Sequence, residues 1–331
     1  MKKAPWLDRR SFLGSALAVG LASGLHAAPV MTAPARPRLT PEEFKRRLRG
    51  PILSVPTPFT ADFKVDYEGL RRMFRRALDY GIEIFELTMG NSQYASLSYE
   101  EIKELTRFMA ETVGDKGLTI AATGPWWTEW AIDYARYAES VGASAVQVLL
   151  PENGDDAGYV KHYQQIAANT RLGIVLNGDF SVELLARLVQ IESIVALKED
   201  ITLEYYIDRL IRFGQRLNCF AGGALERFLV GQPYGATAYF DSYSTFAPEI
   251  TMRFWKAVQT NDIATEREVI EKYDHPFNAR WSHPFWRATL ERFGIAGRYM
   301  RPPQHTYTDQ EMKEVKAFYD KLGICPCGRK A

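Results

Sequence analysis

Cysteine is scarce in this chain. Cys219, Cys325 and Cys327 are the only three among 331 residues, so no disulfide framework supports the fold and stability has to come from a packed core. Neither sign of charge dominates, with 41 Lys and Arg against 40 Asp and Glu, and no basic block interleaved with aromatics occurs. That argues against nucleic acid as a partner. The early apolar run is too short and too rich in Gly and Ala for a stable membrane span. The histidines His162, His275, His283 and His305 show neither H-x-H nor H-E-x-x-H spacing, so no catalytic metal is expected. No G-x-G-x-x-G turn follows the first β-type run, where the chain reads Pro58-Phe59-Thr60-Ala61-Asp62, which weighs against a doubly wound dinucleotide-binding sheet. No cofactor is implied.

What is present begins with an address. Asp8-Arg9-Arg10-Ser11-Phe12-Leu13-Gly14 precedes a mild apolar run from Ser15 to Leu25, an order similar to a twin-arginine export signal, and Ala27-Ala28 offers small residues for cleavage. The expectation is a signal peptide over residues 1–28 and a periplasmic or otherwise exported protein. Residues 29–47, opening on a Pro- and Ala-rich stretch, read as a linker and lead-in. At the other end, Cys325-Pro326-Cys327 lies in a tail over residues 325–331 that reads as frayed or reactive, with capture of a metal or a second chain as the alternative.

Over residues 48–260, short apolar β-rich runs alternate with amphipathic stretches. The runs are Ile52 to Thr57, Ile82 to Thr88, Leu118 to Thr123, Ala145 to Leu150, Leu172 to Asn177, Ile194 to Lys198, Asn218 to Gly222 and Ala236 to Asp241. Each is nearly continuous in apolar residues, as parallel strands buried on both faces require, and each is followed by helical periodicity. Leu70, Met73, Phe74 and Leu78 show that periodicity between Asp66 and Tyr80. Eight strand–helix units predict an α/β protein with a closed (β/α)₈ TIM barrel. Amphipathic stretches near 262–273, 281–293 and 308–322 predict a C-terminal helical extension over residues 261–324.

Active sites of such barrels form at the carboxyl ends of the strands, so the polar residues closing each run are candidates. They include Thr57, Thr88, Asn177, Lys198, Gly222 with Gly223, and Asp241. Period-two alternation puts Ile194, Ala196 and Lys198 on one strand face, taken as the barrel interior. An amine held there is partly desolvated, and a pKa lowered by about three units makes the neutral, nucleophilic form common near neutral pH. Such an amine condenses with a ketone or aldehyde to an iminium, an electron sink for the neighbouring carbons. The alternative is a lysine that emerges at a strand end and pairs with Glu199 or Asp200.

From about Pro51 to Ile324 the chain resembles the family of dihydrodipicolinate synthase and N-acetylneuraminate lyase, class I aldolases with a Schiff-base lysine on the sixth strand. Thr57-Pro58-Phe59 with Asp66 resembles the family's opening, and Leu97-Ser98 with Glu101 the start of its second helix. Thr128, Ala131-Ile132, Tyr137-Ala138 and Gly142-Ala143 resemble its third helix and the following turn. Pro151, Ile194 to Glu199, Gly235-Ala236, Pro248, Arg301-Pro302 and Gly323 complete the likeness. The resemblance implies a Schiff base on Lys198, a small-molecule carbonyl substrate and a dimer or tetramer.

The departures concern the substrate. Leu176 stands where the family has a proton-shuttling tyrosine, before Asn177. Met89-Gly90-Asn91-Ser92-Gln93 replaces the G-T-T-G-E loop that binds a 2-oxo acid, leaving Asn91 and Ser92 as donors. Glu152-Asn153 replaces an aromatic pair, and Gly178-Asp179-Phe180-Ser181 lacks an expected arginine. Glu86, Glu152, Asp179 and Asp241 are carboxyl candidates for acid–base work, with Glu86 and Asp241 preferred, and Tyr94, Tyr239 and Tyr243 are phenol alternatives. Thr57, Asn91, Ser92, Asn177, Gly222, Glu152 and Trp127 are candidates for substrate binding, while Trp126 and Trp130 share a helix face suited to packing. Gly222-Gly223 suits a tight turn, or an anion held on backbone N–H groups. Three functions follow: an aldol-type lyase acting through Lys198, an exported barrel that binds a ligand without turning it over, and a hydro-lyase or hydrolase using mouth carboxylates without a Schiff base, with Lys198 as an electrostatic aid.

Overall fold

The computed structural model describes residues 39–326; the expected signal, most of the linker and Cys327 lie outside the described residues. Eight parallel strands close into a barrel in chain order: β1 (Gly50–Ser54), β2 (Ile84–Glu86), β3 (Leu118–Ala122), β4 (Ala145–Leu149), β5 (Gly173–Asn177), β6 (Ile194–Glu199), β7 (Asn218–Ala221) and β8 (Ala238–Phe240). Each lies within or overlaps one of the apolar runs read from the sequence.

A helix, α1 (Pro41–Arg47), precedes the barrel. The helices between and after the strands are α2 (Tyr67–Asp79), α3 (Tyr99–Val113), α4 (Thr128–Ser140), α5 (Asp156–Ala167), α6 (Val182–Leu188), α7 (Leu203–Phe213), α8 (Leu225–Gly231) and α9 (Pro248–Thr260). The α2 helix shows why they form: the Asp66 carboxylate accepts the Gly69 N–H at 2.8 Å, and Leu70, Met73, Phe74 and Ala77 bury one face.

The extension follows as α10 (Ile263–Val269), a π-helical segment over Ile270–Asp274, α11 (His275–Asn278), α12 (His283–Arg292) and α13 (Asp309–Leu322). The first of its three expected helices is thus interrupted by the π segment and continues to Asn278. No described helix is long and apolar enough to cross a membrane.

Two features depart from the sequence reading. The lead-in contains α1, which packs beneath β5 and β6. Thr40, Pro41 and Glu43 supply a capping box and a first-turn proline, so the signal was present in a segment too short to show periodicity. The second is β6, where Ile194 pairs with Ile174 but Ala196 pairs with Val175, leaving Val195 as an extra residue. This bulge sends Ile194 outward into the helix-facing core, while Val195 and Ala196 join the inner cluster. Strict alternation therefore holds from Ala196 to Lys198 and fails at Ile194.

The strand register arranges the barrel interior in layers. Moving up one residue at each strand crossing, the partners lead from Glu86 to Gln147, Lys198 and Phe240 and return to Glu86. Ile52, Ile120, Val175 and Phe220 form the layer below, and Ile84, Ala145, Ala196 and Ala238 the next. Phe44 and Leu48 seal this floor, each fully buried; burial of one such side chain contributes roughly 1.5–3 kcal/mol. Ser54, Ala122, Asn177 and Gly222 form the layer above Lys198.

Candidate active site

Small residues above the Lys198 layer leave room, and a cavity of about 280 Å³ opens there. Ser54, Asn91, Lys198, Asp200, Gly222 and Asp241 line it, and the extension closes one side with Asn278, Trp281 and Trp286. Lys198 is 7 % exposed. Its Nζ bonds the Asp200 carboxylate and lies 5.1 Å from the centre of the Phe240 ring. The nitrogen thus has one carboxylate and one aromatic face as neighbours. Glu199 turns away from the cavity and pairs with Arg227 and the Ile201 N–H.

Asp200 is held from several sides. The Asn177 amide donates to its Oδ2 at 3.1 Å and to the Lys198 carbonyl at 3.3 Å. Burial raises the Asp200 pKa, but the Lys198 ammonium and these hydrogen bonds outweigh it and hold the carboxyl below its usual range. A side chain on Gly222 would place its Cβ 2.1 Å from Asp200 Oδ1, so glycine is what admits the carboxylate. The Gly222 N–H is used by the Glu199 carbonyl at 2.9 Å, and Gly223 turns with φ +87°, so this segment is a tight turn.

Two further carboxyl groups differ in environment. Burial pushes Asp241 up to about 6, and its Oδ1 accepts the Tyr243 N–H at 2.7 Å. Burial pushes Glu86 up to about 8; the Lys198 charge opposes this and the Asp200 charge adds to it. Near neutral pH, Asp241 is mostly ionised and Glu86 mostly protonated.

Other sequence candidates lie elsewhere. The Thr57 hydroxyl donates to the Ser92 carbonyl at 2.7 Å, and the Ser92 hydroxyl donates to the Val55 carbonyl at 2.7 Å and accepts the Thr88 N–H at 3.0 Å. Both hydroxyls are consumed bracing the loop that presents Asn91, whose Nδ2 donates to Ser54 Oγ at 2.8 Å. Trp127 precedes the first turn of α4 and is 61 % exposed, and Glu152 and Asp179 are also exposed. None of these three lines the cavity.

None of the three phenols is bonded to Lys198. Tyr94 bonds the Ala122 carbonyl, Tyr243 bonds the Tyr273 carbonyl, and Tyr239 packs 5.5 Å from the Phe254 ring. Leu176 packs in the outer core. Trp126 meets Tyr99 edge-on at 5.3 Å, Trp130 stacks on it at 5.8 Å, and both indoles border a separate cavity of about 670 Å³.

Ser54, Asp200 and the wall from the extension were not among the sequence's site candidates. Period two from Ile52 leads to Ser54, and from Lys198 to Asp200, so those signals existed. No spacing tells that α12 returns over the mouth. Arg287 on that helix is fully buried and donates to the Thr57 carbonyl at 3.0 Å, the Asn91 carbonyl at 3.4 Å and Gln93 Oε1 at 2.7 Å. It ties the extension to the loops after β1 and β2, and burial lowers its pKa to about 9.

Known proteins are similar to this chain. The chain is 27% identical over 303 residues to "Probable 5-dehydro-4-deoxyglucarate dehydratase" of Rhizobium meliloti (strain 1021), covering 85% of this chain and 99% of that one. It is 23% identical over 295 residues to a 4-hydroxy-tetrahydrodipicolinate synthase of Chlorobaculum parvum (strain DSM 263 / NCIMB 8327), covering 84% of this chain and 99% of that one. CdNal from Clostridium difficile, solved in complex with mannosamine, shares the fold with a TM-score of 0.76 at 18% identity, over 83% of this chain and 99% of that one. The sequence profile of the dihydrodipicolinate synthetase family matches residues 47–322, and the chain belongs to that family.

Proposed function

We propose that the protein is a lyase that binds a hydroxylated oxo acid or sugar-derived carbonyl compound as an iminium on Lys198. The observation that carries this reading is one nearly buried lysine, set on an apolar floor, opening into a polar cavity with a carboxylate at its nitrogen. Asp200 stabilises positive charge there, first as ammonium and then as iminium. Loss of the proton beside the iminium carbon gives an enamine, which expels a group from the next carbon. With a hydroxyl in that position the reaction is loss of water; if that hydroxyl instead gives up its proton while the iminium stands, the bond between the two carbons breaks to a carbonyl compound and the enamine, which is aldol cleavage.

The dehydratase name of the Rhizobium meliloti relative and the polar wall of Ser54, Asn91 and Asn278 favour loss of water from a hydroxylated oxo acid. Asp241, ionised near neutral pH, serves as base, and Glu86, protonated there, as acid. The reading includes export by Arg9-Arg10 and assembly into a dimer or tetramer, which cell fractionation and light scattering check.

Turnover of 5-dehydro-4-deoxyglucarate tests the reaction. Product formation in wild type and its loss in a folded Lys198→Ala variant support it. Undiminished turnover in that variant returns the chemistry to the mouth carboxylates, and no turnover of any oxo acid or sugar acid leaves a binding protein.

A further inference from the structure

The layer that carries Lys198 holds polar atoms that no described residue satisfies. Both carboxyl oxygens of Glu86 and Oε1 of Gln147 are buried without a hydrogen-bond partner. The two residues are 0 % and 1 % exposed. Buried polar atoms are nearly always paired, and each one left alone costs about 1–3 kcal/mol. Gln147 is also the one polar inward residue of an otherwise apolar β4, so its presence there calls for a reason.

The chemistry of these atoms specifies a partner. A protonated Glu86 has one hydrogen to give and an oxygen that accepts, whereas Gln147 Oε1 only accepts. A water molecule within reach of both residues would pair two of these three atoms, donating to Gln147 Oε1 while accepting the Glu86 proton. Polar interior sites hold such waters, and apolar ones do not. The titratable groups facing Glu86 are Lys198 and Asp200, both on or just after β6, and the uncharged Tyr94 phenol. Its neighbours on β1 and β3, Ser54 and Ile120, carry no charge, nor does Gln147 on β4.

We propose that a water molecule bound between Glu86 and Gln147 forms a proton relay beside Lys198, in which Glu86 is the acid that converts the carbinolamine to the iminium and Gln147 positions it. The proposal rests on the iminium reading and assigns its first proton transfer. Once the Lys198 amine has added to the substrate carbonyl, the carbinolamine C–O bond breaks and its electron pair leaves on oxygen. Glu86 gives its proton through the relay to that oxygen, a water molecule departs, and the nitrogen lone pair closes the C=N bond. A neutral carbinolamine and a neutral acid become an iminium cation, a carboxylate and water. The new carboxylate shares a layer with the new cation, which keeps the separated charges close. This supplies an acid where none of the three phenols is bonded to Lys198.

The test is single-turnover mixing of the full-length protein with pyruvate and, separately, with 5-dehydro-4-deoxyglucarate, quenched with borohydride and read by mass spectrometry. Glu86→Gln keeps the shape of the neutral acid but cannot give a proton, so it slows adduct formation on the order of 10²–10³-fold. It also removes the fall in rate above about pH 8. Gln147→Leu slows adduct formation less, on the order of tenfold, and a crystal structure shows an ordered oxygen between Glu86 and Gln147 that this variant loses. Adduct formation in Glu86→Gln at the wild-type rate across pH, or no oxygen between the two side chains, overturns the relay while leaving the iminium standing. No adduct on wild type overturns the iminium reading and the relay with it.

Discussion

Below the Lys198 layer the barrel is filled by Ile52, Ile120, Val175 and Phe220; above it the equivalent positions are Ser54, Ala122, Asn177 and Gly222. The same strands, twist and stagger produce both halves. Branched and aromatic side chains close the lower half into a floor, and small or polar ones at the same inward positions leave a cavity above. Geometry is therefore shared between stability and function, and residue size at alternate strand positions decides which one a layer serves.

That division predicts different consequences for each half. Lys198→Ala should lower turnover on the order of 10⁴-fold or more with thermal stability little changed, measured by steady-state kinetics beside circular-dichroism melting. In the floor, Phe44→Ala should cost about 3–5 kcal/mol in denaturant unfolding while kcat/KM of the remaining folded protein stays near wild type. A large activity loss in that folded protein would blur the separation between floor and mouth. Gly222→Ala pushes Asp200 off the lysine nitrogen, and a displacement of that kind costs on the order of 10²-fold in kcat. Unchanged kcat there would remove Asp200 from the account.

The last effect is a pH slope. Glu86 ionises near 8 in the folded protein and near 4.5 when free. Between those values the unfolded chain releases a proton that the folded one keeps, so stability falls as pH rises, by up to about 1.4 kcal/mol per pH unit. Glu86→Gln should flatten this slope in urea unfolding measured from pH 5 to about pH 8.

The barrel was legible because strands buried on both faces are apolar end to end, and each apolar run matched a strand within a few residues at its ends. The β6 bulge was not, since pairing between strands inserts Val195 and leaves no mark in the composition of Ile194 to Lys198. At the mouth, Lys198, Gly222 and Asp241 come together as strand-end residues of this fold should, joined by Asn91 from the loop after β2. Thr57 and Ser92 do not face the cavity, because a short loop consumes its own hydroxyls to hold Asn91. Trp127 was a candidate for substrate binding, but the indoles that line the cavity are those of Trp281 and Trp286, brought back by a chain reversal no local pattern records.

The iminium itself is observed most directly by borohydride trapping. Incubation of the full-length protein with 5-dehydro-4-deoxyglucarate or another hydroxylated oxo acid, reduction and peptide mass mapping should place one reduced adduct on the peptide that carries Lys198, absent in Lys198→Ala. Substrate turned over with no adduct on Lys198, or with an equal adduct in Lys198→Ala, would contradict the account.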